Sequence, residues 1–195
     1  MPLVVVIPVR GFGTGKARLA SALEPEARSR LARALAEHVA ATVADAGHLP
    51  LVVTADPEVA GWAASNGFAP LPDPGRGLDE AAAVGVTWAL EADSPWLVLH
   101  ADLPLLRTAD IAAVAAPLDD GGPVLAPSAD GGTSAIGARG EFGFAYGPAS
   151  FHRHLARLGA PTVVTRPGLA LDVDSPVDID AALSAGADWV RAAIR

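Results

Sequence analysis

Residues 3–9, LVVVIPV, form an unbroken apolar run rich in β-branched side chains. A strand with one wet face would alternate apolar and polar positions, so such a run belongs in a mainly parallel sheet covered by helices on both faces. Parallel neighbours need long return paths, and the sequence supplies one at once. Between residues 25 and 46, Leu31, Leu35, Val39 and Val43 recur every fourth position among Arg28, Arg30, Arg33 and Glu37, and Gly47 offers a stop. That is an amphipathic helix.

The alternation continues along the chain. Residues 51–54 read as a strand, Asp56-Pro57 as a helix start and Asn66-Gly67 as its end, 68–71 as a third strand, 79–92 as a helix and 96–99 as the next buried strand. A helix at 108–116, strands at 124–126 and 133–136, a helix at 150–158, an extended piece at 162–165 and a C-terminal helix opened by Ser175-Pro176 with Asp178 complete the pattern. The expectation is a three-layer α/β/α fold with its sites at the carboxyl ends of strands. At 195 residues and 51% hydrophobic positions, one domain over 1–195 is expected.

Composition narrows the function. The chain has no cysteine, which excludes disulfides, thiolate nucleophiles and cysteine-rich metal centres, so an expected metal is a hard, oxygen-liganded one. A formal charge of −8 with no basic stripe argues against nucleic acid as a partner. The opening apolar run is too short for a membrane span and has no basic leader before it, which implies a cytoplasmic protein without a membrane partner.

Three segments carry candidate chemistry. Residues 10–18, RGFGTGKAR, follow the first strand but match neither the P-loop, which needs Gly at 10 and Ser or Thr at 17, nor the dinucleotide fingerprint, whose third glycine is replaced by Lys16. What remains is a glycine loop bringing backbone amides and Arg10, Lys16 and Arg18 to one strand end, which suits a triphosphate; a plain glycine turn with solvated charges is the alternative. Asp102 follows the buried run 96–99, where a carboxylate suits magnesium, or where it caps a turn. Asp172 and Asp174 lie two apart in an extended segment and so share a face; the alternative, a helix cap by Asp174 or Ser175, does not account for Asp172. The five histidines suggest less: His38 and His48 lack a partner pattern, His100 adjoins Asp102, and His152 and His154 read as a solvated surface pair. The four tryptophans, Trp62, Trp88, Trp96 and Trp189, read as core or interface residues.

Six motifs in one order then carry a resemblance: Val6-Ile7-Pro8-Val9-Arg10 with Gly15-Lys16-Ala17-Arg18-Leu19; Pro72-Asp73-Pro74-Gly75-Arg76-Gly77-Leu78; Ala101-Asp102-Leu103-Pro104-Leu105-Leu106; Phe144 with Gly147-Pro148; Ser150-Phe151; and Leu171-Asp172-Val173-Asp174-Ser175-Pro176. Together they resemble the 2-phospho-L-lactate or phosphoenolpyruvate guanylyltransferase family of coenzyme F-420 biosynthesis. The resemblance implies a nucleotidyltransferase fold like that of molybdenum-cofactor guanylyltransferases, GTP as donor, a small phosphorylated acid as acceptor and magnesium as cofactor. It assigns Asp102, Asp172 and Asp174 to the metal, Thr133, Gly147 and Ser150 to the acid, and Pro8, Arg10, Lys16, Arg18, Asp73, Gly77 and Leu78 to the nucleotide. Lys16 and Asp102 are the catalytic pair on this reading, and a homodimer is left open.

The chain departs from the family at three positions. Arg10 stands where many relatives have Lys, Asp79 where they have Asn, and His100 where they have Pro or Ala. Arg10 keeps a phosphate-binding cation, whereas an ionised Asp79 cannot donate as an amide does. The composition suggests a GC-rich bacterium, in which phosphoenolpyruvate is the expected acceptor. Other readings are an NTP transferase of the same fold with a molybdopterin or sugar-phosphate acceptor, a glycosyltransferase using Asp172 and Asp174, and a non-catalytic nucleotide-binding protein.

Overall fold

The computed structural model describes residues 2–195. A seven-stranded sheet runs through it, with strands β1 (Val4–Pro8), β2 (Leu49–Thr54), β3 (Ala69–Pro72), β4 (Trp96–Leu99), β5 (Val124–Pro127), β6 (Thr133–Ala138) and β7 (Thr162–Val163) in the order β3-β2-β1-β4-β6-β5-β7. All neighbouring pairs are parallel except those of β6, which runs against both β4 and β5. Helices α1 (Pro25–Asp45), α2 (Pro57–Ser65), α3 (Leu78–Glu91), α4 (Thr108–Asp119), α5 (Ser150–Leu158), α6 (Pro167–Ala170), α7 (Pro176–Ser184) and α8 (Trp189–Ala193) cover it. No helix of the described chain is long and apolar enough to cross a membrane.

The first strand shows why the opening run had to be apolar throughout. Val5 and Ile7 face a core shared with α1, α2 and α4, while Val4 and Val6 face a second core shared with α3 and the segment around Phe144. Alternate residues of one strand thus feed two different layers, and none of these four is more than 3% exposed. On the α3 side the approach is close enough to require glycine: a Cβ at Gly85 would collide with both Val6 methyls. A third cluster joins Leu19, Leu31 and Leu35 to Val173, Ile179 and Val190, fastening the C-terminal helices to α1.

The sheet order places the site. From β1 the chain steps outward to β2 and β3, then returns to lay β4 on the other side of β1, so the carboxyl ends of β1 and β4 bound the crevice where an α/β sheet reverses direction. Because β6 is reversed, its beginning rather than its end lies at this edge, in register with the end of β4, where Leu99 opposes Ala135. Thr133 therefore joins the edge by strand reversal.

Candidate active site

A cleft of about 1270 Å³ opens along this edge. Pockets for single drug-sized ligands span roughly 300–1,000 Å³, so there is room for a nucleotide and a second substrate together. Every residue assigned to metal, acid or nucleotide above lines it: Pro8, Arg10, Lys16 and Arg18 after β1; Asp73, Gly77 and Leu78 after β3; Asp102 after β4; Thr133 at the start of β6; Gly147 and Ser150 before and on α5; and Asp172 and Asp174 before α7.

The three aspartates converge through the backbone. Val173 donates its N–H to the carbonyl of Asp102 at 3.1 Å and buries its side chain completely, which leaves Asp172 and Asp174 on the opposite, cleft-facing side. The helix cap is Ser175, in a capping box with Asp178 at the third position of α7, which accepts from the N–H groups of Asp174 and Ser175 at 3.1 and 2.7 Å. Asp174 is thereby free to meet Lys16.

Lys16 is the hub. Its Nζ lies 2.5 Å from Asp102 Oδ2 and 3.1 Å from Asp174 Oδ1, residues 86 and 158 positions away. Burial works against the ammonium, but the two carboxylates outweigh it and hold Lys16 above its ordinary range. Lys16 in turn overcomes the desolvation of Asp102 and keeps that carboxyl below the usual carboxylate range. The lysine occupies a left-handed backbone conformation with φ 58°, uncommon for a side-chain-bearing residue and strained to the order of 1 kcal/mol. The strain aims the ammonium across the crevice.

The glycine loop differs from its expected form. The N–H groups of Thr14 and Gly15 both bond the carbonyl of Gly11, closing the loop on itself, so these two amides are spent internally. Gly11 is required by packing, since a Cβ there would strike the carboxylate of Asp56, the N-cap of α2. The loop offers the cleft its cations: Arg10 and Arg18 are exposed and form no ion pair among the described residues.

The donor set fits a hard cation. Asp102 Oδ1 and His100 Nε2 are buried with no hydrogen-bond partner, and ligand atoms of His100, Asp102 and Asp172 lie within 4.8 Å of one another. Burial, with the charge of Asp102 adding to it, pushes Asp172 up to about 6. The folded protein thus favours the protonated form. The stabilisation this gives is complete below the unfolded carboxyl value near 4 and is lost as pH rises through about 6. A bound cation needs the ionised form, so the thermal stabilisation by magnesium with nucleotide should be small near about pH 5 and reach its plateau above about pH 7. Melting curves across this window check it, and a magnesium effect independent of pH would remove Asp172 from the site.

Two expectations change. His152 is exposed, but His154 is completely buried rather than solvated, because it shares the inward face of α5 with Ser150 one turn earlier. Its ring nitrogens contact Thr133 Oγ1 and the N–H of Ala145, both at 2.9 Å. Asp79, which lacks the donor of an amide, is used as an acceptor: its Oδ1 takes the N–H of Tyr146 at 2.8 Å and ties α3 to the loop before α5. The sequence signal for His154 was its four-residue spacing from Ser150; Asp79 stood out as an acid in place of an amide, and Tyr146 gave none. His38 and His48 are structural, bonding Leu106 O and Leu3 N.

Residues 3–181 match the family described as "Guanylyl transferase CofC like". The chain is 38% identical over 191 residues to a phosphoenolpyruvate guanylyltransferase of Sphaerobacter thermophilus, covering 92% of each. It is 36% identical over 197 residues to a 2-phospho-L-lactate guanylyltransferase of Haloarcula marismortui, covering 96% of this chain and 90% of the other. A nucleotidyl transferase structure from Methanothermobacter thermautotroptrophicus superposes with TM-score 0.61 at 14% identity over 95% of this chain and 99% of that one. A 4-diphosphocytidyl-2C-methyl-D-erythritol synthase structure from Anaerococcus prevotii gives 0.59 at 11% identity over 94% and 95%. The structural likenesses establish a nucleotidyltransferase fold, and with the family match and the identity along nearly the whole length they lead to one conclusion: the chain belongs to the CofC-like guanylyl transferases.

Proposed function

We propose that this protein transfers GMP from GTP to a small phosphorylated acid, phosphoenolpyruvate or 2-phospho-L-lactate, with release of pyrophosphate, as a step in coenzyme F-420 biosynthesis. The observation that carries the reading is the meeting of Lys16 with Asp102 and Asp174, beside Asp172, in a cleft with room for two substrates. A phosphate oxygen of the acid attacks the α-phosphorus of GTP, the bond from that phosphorus to the bridging oxygen breaks, and pyrophosphate leaves. The acceptor phosphate is already ionised at neutral pH, so neither a general base nor a protein nucleophile is needed.

The barrier is one of charge and position, because two anions must be brought together. Lys16, Arg10 and Arg18 offset the charge that builds on the leaving pyrophosphate. Asp102, Asp172 and Asp174 would hold magnesium, which when bound neutralises phosphate oxygens. The loop around Asp73, Gly77 and Leu78 is the nucleotide side of the cleft, and Thr133, Gly147 and Ser150 form the acid side. Thr133 and Ser150 line the inner wall of the cleft at 0% and 2% exposure, so the acid would reach their hydroxyls only by pressing into that wall. The names of the relatives support both acids as acceptors and favour phosphoenolpyruvate in the bacterial ones.

Pyrophosphate release over a grid of four NTPs and several phosphorylated acids tests the reading. GTP with phosphoenolpyruvate is expected to be the best pair. Release with a sugar phosphate and none with any small acid would assign the cleft to a different acceptor.

A further inference from the structure

His154 has both ring nitrogens engaged inside the protein, and the partners fix which nitrogen carries hydrogen. The N–H of Ala145 can only donate, so Nε2, 2.9 Å away, must be the bare nitrogen. The single hydrogen of the neutral ring is then on Nδ1, which donates to Thr133 Oγ1 at 2.9 Å. A cationic ring would set a second N–H against that of Ala145. Burial acts in the same direction and pushes the imidazole down to about 4.

The consequence falls on Thr133. Its oxygen accepts from His154 and, at 3.4 Å, from Ser150 Oγ, while its own hydrogen has no acceptor among the hydrogen bonds of the described residues. Thr133 lines the cleft. A freely rotating hydroxyl could offer an incoming group either a hydrogen or a lone pair; this one is committed to donate. A committed donor attracts an anionic oxygen and gives nothing to a group that needs an acceptor.

We propose that His154 is a positioning residue for the phosphorylated acid: it locks the Thr133 hydroxyl as a hydrogen-bond donor to the acid and, through Ala145, anchors the loop that carries Gly147. The inference rests on the reading that the cleft accepts a phosphorylated acid. The loop has further anchors. Arg153 bonds the carbonyls of Ala145, Tyr146 and Pro148, and Arg157 those of Gly143 and Phe144. These hold residues 143–148 against α5 without His154, so replacing the ring acts chiefly on Thr133.

A double-mutant cycle with His154→Phe and Thr133→Val separates this role from packing. Each single variant should raise KM for phosphoenolpyruvate about tenfold, the scale of one hydrogen bond to a charged group, with KM for GTP and kcat within about twofold of wild type. The double variant should be no worse than Thr133→Val alone, because the ring acts through that hydroxyl. Effects that multiply, or an equal rise in KM for GTP, would overturn the proposal. Nitrogen NMR of the wild-type imidazole provides a readout that does not depend on a variant folding: Nδ1 protonated and Nε2 bare at neutral pH is the expected result, and the opposite tautomer or a cation would overturn the proposal. If wild type turns over no phosphorylated acid with any NTP, the functional reading fails and this inference with it; turnover without coupling in the cycle overturns the role of His154 alone.

Discussion

Replacing Asp102 with Asn should lower turnover by about three orders of magnitude while leaving the protein folded. Asn matches the volume of Asp, and its carboxamide oxygen can still face the Lys16 ammonium, so the fold loses little. What is lost is a full negative charge at the oxygen that is buried without a protein partner, Asp102 Oδ1. On the proposed reading, a cation held by three carboxylates forfeits several kcal/mol of transition-state stabilisation when one is neutralised, and each ~1.4 kcal/mol is a factor of ten in rate. Excess magnesium should recover part of the rate by mass action. Asp172→Asn makes the sharper contrast. Burial and the charge of Asp102 disfavour ionised Asp172, so its neutral replacement should raise the melting temperature of the metal-free protein above about pH 6 while activity falls. Stability gained where function is lost marks a carboxylate kept for ligand binding. Near-normal activity in both variants, measured by steady-state pyrophosphate release, would defeat the metal assignment.

Lys16→Ala should have two separable effects. Among the described residues the ammonium is the only side-chain group hydrogen-bonded to the side chain of Asp102, and its removal leaves that buried carboxylate uncompensated beside Asp174. Breaking a buried pair at one end costs about 3 kcal/mol, so the metal-free variant should melt well below wild type. The ammonium and a cation compete for the negative charge of the same carboxylates, the ammonium through Asp102 Oδ2 and a cation through the unpartnered Oδ1. Magnesium should therefore restore more of the melting temperature in the variant than it adds to wild type. The second effect is kinetic: loss of a charge-assisted contact to the triphosphate should cut kcat/KM for GTP roughly 10- to 100-fold, and magnesium should not restore it. GTP titrations indistinguishable from wild type would return the loop after β1 to an ordinary turn.

How far the sequence was legible follows from the range of the interactions concerned. The strand Trp96–Leu99 and the helix Ser150–Leu158 are bounded as their patterns imply, because an apolar run and a 3.6-residue period are local signals. The shared face of Asp172 and Asp174 is likewise a local property of extended chain. Two features depended on partners distant in sequence. The reversal of β6, which delivers Thr133 to the cleft, is decided by pairing with β4 and β5. The burial of His154 is decided by Thr133, twenty-one residues earlier. The capping of α7, by contrast, is local and was legible: Ser175-Pro176 with Asp178 marked the helix start, and Asp178 accepts from the N–H groups of Asp174 and Ser175. The short 3-10 helix Ala17–Ser21 had no periodic signature, and it is what turns the chain away after Lys16.

One cleft is expected to join the α-phosphate of GTP to the phosphate of a small acid. Phosphorus NMR of a reaction containing the protein, GTP, phosphoenolpyruvate and magnesium reads this directly. The expected result is loss of the triphosphate signals, the appearance of pyrophosphate, and a pair of mutually coupled phosphorus resonances from a new unsymmetrical diphosphate, in equal amounts. Conversion of GTP to GDP and phosphate, or an unchanged spectrum with all four NTPs and both acids, would contradict it.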